Sequence, residues 1–344
     1  MPVSTRPRAR DRLDRDELEA ALRRMGLTRP GERPAFARLP GGVSSDIWRV
    51  ELERGPVCVK RSLAKLRVAA DWHAPVERGN YERRWLETVA AIAPGAVPTI
   101  LGHDDEACLF VMAYLEPDRY PVWKHLLRDG IAEGSTAAGV GRLLARIHAA
   151  TAHRRDIAAI FDTSYIFRPI RLDPYLEATG RAHPDRQQAF AALIAATLAN
   201  RKALVHGDVS PKNILVGPEG PVLLDAEGAW YGDPAFDAAF CLNHLLLKCL
   251  WNRPATGGFQ TCFEALAESY LGACDWEPRD SLEARVARLL PGLLLARVDG
   301  KSPVEYVTDE TDRNRVRRTA RALLAAPVER VAQVWSAWAT ELGR

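Results

Sequence analysis

Two hydrophobic periods divide the chain. Leu18, Leu22 and Met25 recur at helical spacing and predict an amphipathic helix over about residues 14–25. The Pro- and Gly-rich "TRPGERPAF" reads as a connector behind it. From Ala37 the period falls to two. "DIWRVEL" and "PVCVKR" alternate apolar and polar positions around the turn "ERG", which predicts a hairpin of half-buried strands. "ERGNYERRWLETVAAIA" returns to helical spacing, with Tyr81, Trp85, Val89 and Ile92 on one face and Glu82 one step off it. "CLFVMAYL" is nearly all apolar and reads as a buried strand. Beyond Leu115 helices dominate: one is marked by Leu143, Leu144 and Ile147, and another spans "HPDRQQAFAALIAATLANRK". "DPAFDAAFCLNHLLLKCLW" has more apolar residues than a single stripe needs and predicts a buried helix. One further hairpin, "ILV" and "PVLLD" around a Gly/Pro turn, interrupts the helices. The pattern predicts an α+β fold. A tail and helix occupy 1–30, a small strand-rich lobe 31–114, and a larger, mainly helical lobe 115–344.

Composition narrows the class. At 344 residues the chain is long for one hydrophobic core, which favours two lobes. A formal net charge of +3 gives no electrostatic reason to expect nucleic acid or an anionic membrane as the main partner. Arg313, Arg317 and Arg321 line one side of a helix, but without interleaved aromatics they read as a solvated face. The six cysteines form no CxxC and no Cys/His cluster, so reduced thiols in a cytoplasm are expected rather than zinc or disulfides. No apolar run approaches the length of a membrane span, and the basic N-terminus lacks the apolar stretch of a secretory signal. Nothing in the sequence sets an oligomeric state.

Candidate chemistry concentrates around the second hairpin. Asp208 lies in "HGD", Asn213 opens the strand "ILV", and Asp225 ends the returning strand. A hairpin brings the start of one strand beside the end of its partner, so Asn213 meets Asp225 with Asp208 on the adjoining loop. Oxygens converging in this way suit a hard divalent cation, and Mg²⁺ prefers few protein ligands plus substrate phosphates. One Asp or Asn at a turn is ordinary turn chemistry. Three at these spacings, with "HGD" and "GDP" beside them, are not. Upstream, "LPGGVSSDIWRV" sets Gly41, Gly42, Ser44 and Ser45 between two strands, where successive N–H groups can point at phosphate oxygens. Lys60 ends the apolar strand one hairpin later.

"HGDVSPKN" followed by "DAEGAWYGDP" resembles the aminoglycoside phosphotransferase and choline kinase family, which has the protein-kinase-like two-lobed fold and phosphorylates small molecules. The resemblance implies an ATP- and Mg²⁺-dependent phosphotransferase. It makes Asp208 the residue that receives the acceptor hydroxyl, Asn213 and Asp225 the metal ligands, and Lys60 the phosphate-binding lysine. Glu82 is then the partner of Lys60, with Glu77 and Glu87 as rivals, and backbone groups near Met112 and Tyr114 receive the adenine edge. Ala226 and Ser210 depart from the family pattern, where an aromatic and a second His are usual. A protein kinase fits less well, because DFG and APE segments are missing. A catalytically silent nucleotide-binding regulator is the alternative from another class. The expected partner is a small-molecule acceptor whose identity the motifs leave open. Glu227, Asp237 and Asp299 are the acidic residues on offer to a cationic acceptor. Lys65, Arg67 and Arg78 sit in a long connection, either near phosphates or simply solvated. Arg171, Asp173, Arg297 and Lys301 are expected in structural roles.

Overall fold

Antiparallel pairing builds the N-terminal part of this computed structural model, which describes residues 15–40, 44–67 and 72–344. Five strands, β1 (Ala35–Arg38), β2 (Ser45–Leu52), β3 (Gly55–Ser62), β4 (Ile100–Asp104) and β5 (Leu109–Ala113), lie in the order β1-β2-β3-β5-β4. The expected hairpin is β2–β3, paired from Ser45↔Ser62 to Leu52↔Gly55. Its inward positions, Val50, Val57 and Val59, bury together with Val111 of β5 against Leu18, Ala21 and Leu22 of α1 (Arg15–Arg24). The first helix thus completes the core of the sheet and is no separate appendage. The expected basic tail, together with Gly41 and Gly42, lies outside the described residues.

Helices make up most of the rest. After α2 (Arg78–Ile92) come α3 (Trp123–Arg128), α4 (Gly134–Thr151), α5 (Arg155–Ile160) and α6 (Ser164–Phe167). A π-helical stretch, Arg168–Glu177, leads into α7 (Ala178–Ala182) and α8 (Gln187–Ala199). Then follow α9 (Ala235–Trp251), α10 (Thr256–Gly272), α11 (Arg279–Asp299), α12 (Glu310–Ala325) and α13 (Val331–Glu341). Two small antiparallel pairs stand among them: β6 (Ala203–Val205) with β9 (Trp230–Gly232), and β7 (Ile214–Gly217) with β8 (Gly220–Leu223). Every residue of α9 except Trp251 is buried, as its surplus of apolar residues predicts. Among the described residues no helix is long and apolar enough to cross a membrane.

By packing, the chain forms two units. One holds the described residues up to Arg84 and Thr99–Tyr114; the other holds Trp85–Pro98 and Leu115–Arg344. The second half of α2 and the loop behind it therefore go with the helical unit rather than with the strands. The reason is local. Trp85 meets the His206 ring edge-on at 4.8 Å, and the carbonyl of Ala96 accepts the Leu223 N–H at 2.8 Å.

Candidate active site

The "HGD" loop is held by buried acceptors. Asp237, in the first turn of α9, accepts the backbone N–H groups of His206 and Gly207, both at 2.8 Å. The His206 ring braces the other side. Its Nδ1 accepts the Asp208 N–H at 3.1 Å, and its Nε2 donates to the Leu224 carbonyl at 3.0 Å. Burial pushes the imidazole below its ordinary range, so it is a neutral clamp between the loop and the hairpin. Gly207 takes a positive φ of 81°, and a Cβ there would lie 2.6 Å from the Gly228 carbonyl oxygen. Only glycine fits that turn without strain.

Asp208 itself is buried between two cations. Arg171 of the π-helical stretch lies 3.0 Å from its carboxylate, and Lys212 lies 3.2 Å from it. Arg171 also donates from Nε to the Gly207 carbonyl, tying the side chain to the loop backbone. Burial would push the Asp208 carboxyl up, but Lys212 and Arg171 hold it below the ordinary carboxylate range. Asp208 is therefore ionised at neutral pH.

The hairpin places the next two residues as the sequence implies. Ile214 pairs with Leu223, and the Leu224 N–H donates to the Asn213 carbonyl at 2.9 Å, so Asp225 follows directly beside Asn213. The Asn213 side-chain amide donates to the Asp208 carbonyl at 3.1 Å, which fixes its orientation. Asp225 takes a left-handed φ of 66°, rare for a residue with a side chain and concentrated at functional positions. The Asp225 charge reaches Asp208, Arg171 and Lys212, since it contributes to the titration of all three.

The sheet unit carries its own polar set. Lys60 of β3 and Glu82 of α2 are 3% and 1% exposed and meet at 2.7 Å. Glu77 and Glu87 are both exposed, so the structure chooses Glu82 among the three. The buried face of α2 is Glu82, Trp85, Leu86 and Val89, one step round from the face expected through Tyr81. Ser44 and Ser45 are buried at the start of β2. The Arg78 guanidinium donates to the carbonyls of Ser44 (2.6 Å), Leu63 (2.7 Å) and Pro75 (2.8 Å), so it staples the long connection to the serine segment. Arg67 pairs with buried Asp46 at 2.5 Å. Met112 and Tyr114 are half-buried at the end of β5, and the Tyr114 ring packs under the Arg49 guanidinium at 4.6 Å.

Two of the three acidic residues offered to a cationic acceptor are otherwise engaged. Asp237 is the anchor described above, and Asp299 is bound by Arg317 at 2.7 Å and His183 at 2.8 Å. The C-terminal arginines are paired too: Arg317 also reaches Glu310, and Arg321 holds Asp185 at 2.8 Å. Asp173 pairs with Lys301 at 2.5 Å on the surface. Arg171, expected to be structural, instead touches the carboxylate of Asp208. Asp237, offered above to a cationic acceptor, instead anchors the loop backbone, and Lys212, with no role in the sequence reading, pairs with Asp208. Their one signal in the sequence is proximity to "HGD" and "GDP".

Comparison with known proteins gives the arrangement a context. A family-wide profile described as "phosphotransferase enzyme family" matches residues 35–260. A methylthioribose kinase from Pectobacterium carotovorum is 26% identical over 306 residues, covering 77% of this chain and 76% of that protein. The chain spans about half the length of several other methylthioribose kinases that it matches. Among solved structures, an ethanolamine kinase from Plasmodium vivax is similar with a TM-score of 0.56 at 12% identity, covering 88% of this chain and 85% of that one. An amicoumacin kinase, solved with AMP-PNP and Ca²⁺, gives 0.55 at 13% identity, covering 92% and 98%. These likenesses establish a protein-kinase-like α+β fold. Because the matched span runs from the first strand of the sheet through Lys60, the "HGD" loop and the hairpin, the chain belongs to the phosphotransferase enzyme family.

Proposed function

We propose that the chain is an ATP- and Mg²⁺-dependent kinase that moves the γ-phosphoryl group to a hydroxyl of a small molecule. The observation that supports this most is the state of Asp208: buried, ionised and held in place by a loop whose every turn is braced. Asp208 orients the acceptor hydroxyl and takes its proton as the new P–O bond forms. Asn213 Oδ1 and Asp225 are oxygen donors of the type Mg²⁺ prefers, and the ion, when bound, neutralises phosphate charge. The fixed amide of Asn213 and the left-handed backbone at Asp225 fit that task. Lys60, oriented by Glu82, binds the α- and β-phosphates. Gly41, Gly42, Ser44 and Ser45 bind phosphate oxygens, and backbone near Met112 and Tyr114 takes the adenine edge. Positioning and charge neutralisation supply most of the rate in such transfers. All six cysteines are free thiols, which suits a reducing, cytoplasmic setting.

Steady-state kinetics of Asp208→Asn test the assignment. Turnover should fall by about 10²- to 10⁴-fold, the usual contribution of a general base, with ATP binding retained. Near-native turnover would remove Asp208 from the mechanism. Nucleotide binding without turnover in the wild type, across a broad acceptor panel, would favour the silent regulator.

A further inference from the structure

Beside the catalytic loop lies a cavity of about 40 Å³ whose charge is one-sided. Lys124 of α3, Lys212 of the catalytic loop, Lys248 of α9 and Arg297 of α11 all line it. The single carboxylate on its wall, Glu305, is taken by Lys124. His244 adds no negative charge and stays neutral, pushed down by burial and by the surrounding cations. Arg297 spends one end on the Tyr175 hydroxyl at 3.1 Å and on Ser302, while its Nε is buried without a hydrogen bond.

Lys248 is the anomaly. It is 1% exposed, and its ammonium has no hydrogen-bond acceptor among the described residues. It packs against the stacked rings of Trp251 and Tyr306, 4.1 Å and 4.0 Å from their centroids. The ring faces attract the cation but supply no hydrogen-bond acceptor. Burying an unpaired ammonium costs several kcal/mol, and proteins retain such costs where function needs them. Burial, with Lys124 and Arg297 nearby, lowers Lys248 to about 6, so the group lacks an anion to keep it charged.

We propose that this cavity is the anion subsite of the acceptor, and that the acceptor is a hydroxylated carboxylic acid. Its carboxylate is held by Lys248, Arg297 and Lys124 while its hydroxyl meets Asp208. Size and placement both point this way. A cavity measured this way needs about 10–15 Å³ to hold one water, so this one admits a small polar group such as a carboxylate and leaves the hydroxylated remainder outside. Lys212 bridges the two places, since it lines the cavity and pairs with Asp208 at 3.2 Å. A cationic acceptor would meet four basic side chains there and one carboxylate already paired with Lys124.

The inference rests on the kinase reading of Asp208. In the transfer the hydroxyl oxygen bonds to the γ-phosphorus as the bond to the β,γ-bridging oxygen breaks. The bridging electron pair leaves with ADP, the hydroxyl proton passes to Asp208, and the carboxylate is unchanged.

Two measurements separate the inference from the reading beneath it. In the first, acetate, D-gluconate and neutral D-glucitol are titrated into the wild type and Lys248→Met, with calorimetry and the fluorescence of nearby Trp251 as readouts. Both carboxylates should bind, glucitol should not, and Lys248→Met should weaken carboxylate binding by about 10- to 100-fold, as loss of a charged hydrogen bond does. Carboxylate binding that is absent, or equal in the variant, overturns the proposal. In the second, transfer of labelled γ-phosphate is compared across hydroxy acids, their matched neutral alcohols and kanamycin. Acids should be preferred, and Lys248→Met and Arg297→Gln should raise their KM more than they lower kcat. Equal transfer to neutral or cationic acceptors, indifferent to Lys248, overturns the anion subsite and leaves the kinase standing. Lys248-dependent carboxylate binding with no transfer to any acceptor keeps the subsite and removes the kinase.

Discussion

Replacing Lys248 with methionine should stabilise the protein, by an amount that depends on pH. The ammonium is buried, without an acceptor, and faced by Lys124, Arg297, Lys212 and neutral His244, with only Glu305 opposing them. An unfolded lysine titrates at its ordinary 10.5, whereas this one titrates at about 6 in the fold. Between those values the unfolded chain binds a proton that the folded chain does not. Stability of the wild type therefore rises with pH from about 6 toward 10.5, and the full penalty applies at and below 6. Methionine is one atom shorter, similarly flexible and uncharged, so the variant lacks this slope. Exchanging a buried ion for a packed apolar side chain gains about 1–4 kcal/mol in comparable sites. At about 2–4 °C per kcal/mol for a domain of this size, the melting temperature should rise by several degrees at pH 6 and by almost nothing at pH 10. Calorimetric melts of both proteins from pH 6 to 10 read this directly. A difference that stays flat across pH, or a less stable variant, would show that Lys248 has an acceptor in solution and would refute the reasoning.

Two further outcomes test the rest of the site. Glu82→Ala removes the 2.7 Å carboxylate partner of the buried Lys60, so it should destabilise the sheet unit, by up to about 3–5 kcal/mol, and cut turnover. If Glu82 acts only by orienting Lys60, the double variant should turn over little worse than Lys60→Ala, and additive losses in the cycle would dissolve that role. Gly207→Ala should destabilise by about 1–3 kcal/mol and abolish most turnover, because its φ of 81° and its approach to Gly228 leave no room for Cβ. A variant that melts and turns over like the wild type would show that the loop does not need that geometry.

What was legible in the chain was what is local. Asn213 and Asp225 come together because one short hairpin joins them, so turn and alternation suffice. Lys60 and Glu82 lie one step further apart, on a strand and the next helix, and the buried stripe of that helix runs through Glu82 rather than Tyr81. Arg171 was illegible for a physical reason. It projects from a π-helical stretch that contains Pro174, where neither a 3.6 nor a 2 period holds. Asp237 was obscured in the opposite way. In a helix buried on all sides, periodicity carries no information about which residue faces a loop. The cation cavity draws on α3, α9, α11 and the catalytic loop, and each contributing residue looks in isolation like a helix-end charge.

Under the proposed kinase reading, the two carboxylates at the "HGD" loop, Asp237 and Asp208, divide the work in a way that bears on how the transfer proceeds. Asp237 has its oxygens committed to two backbone N–H groups, with His148 Nε2 at 3.3 Å besides, so it can hold the loop but has nothing left for a substrate. Asp208 is bound by side chains alone. One of them, Lys212, is half exposed and able to swing aside when an acceptor arrives. The same two cations make Asp208 a weak base, which would be a handicap if the hydroxyl had to lose its proton before attack. Phosphoryl transfer runs through a loose transition state with little demand for early proton removal. A carboxylate tuned low and rigidly mounted therefore suits aiming a hydroxyl and receiving its proton late, as the P–O bond forms.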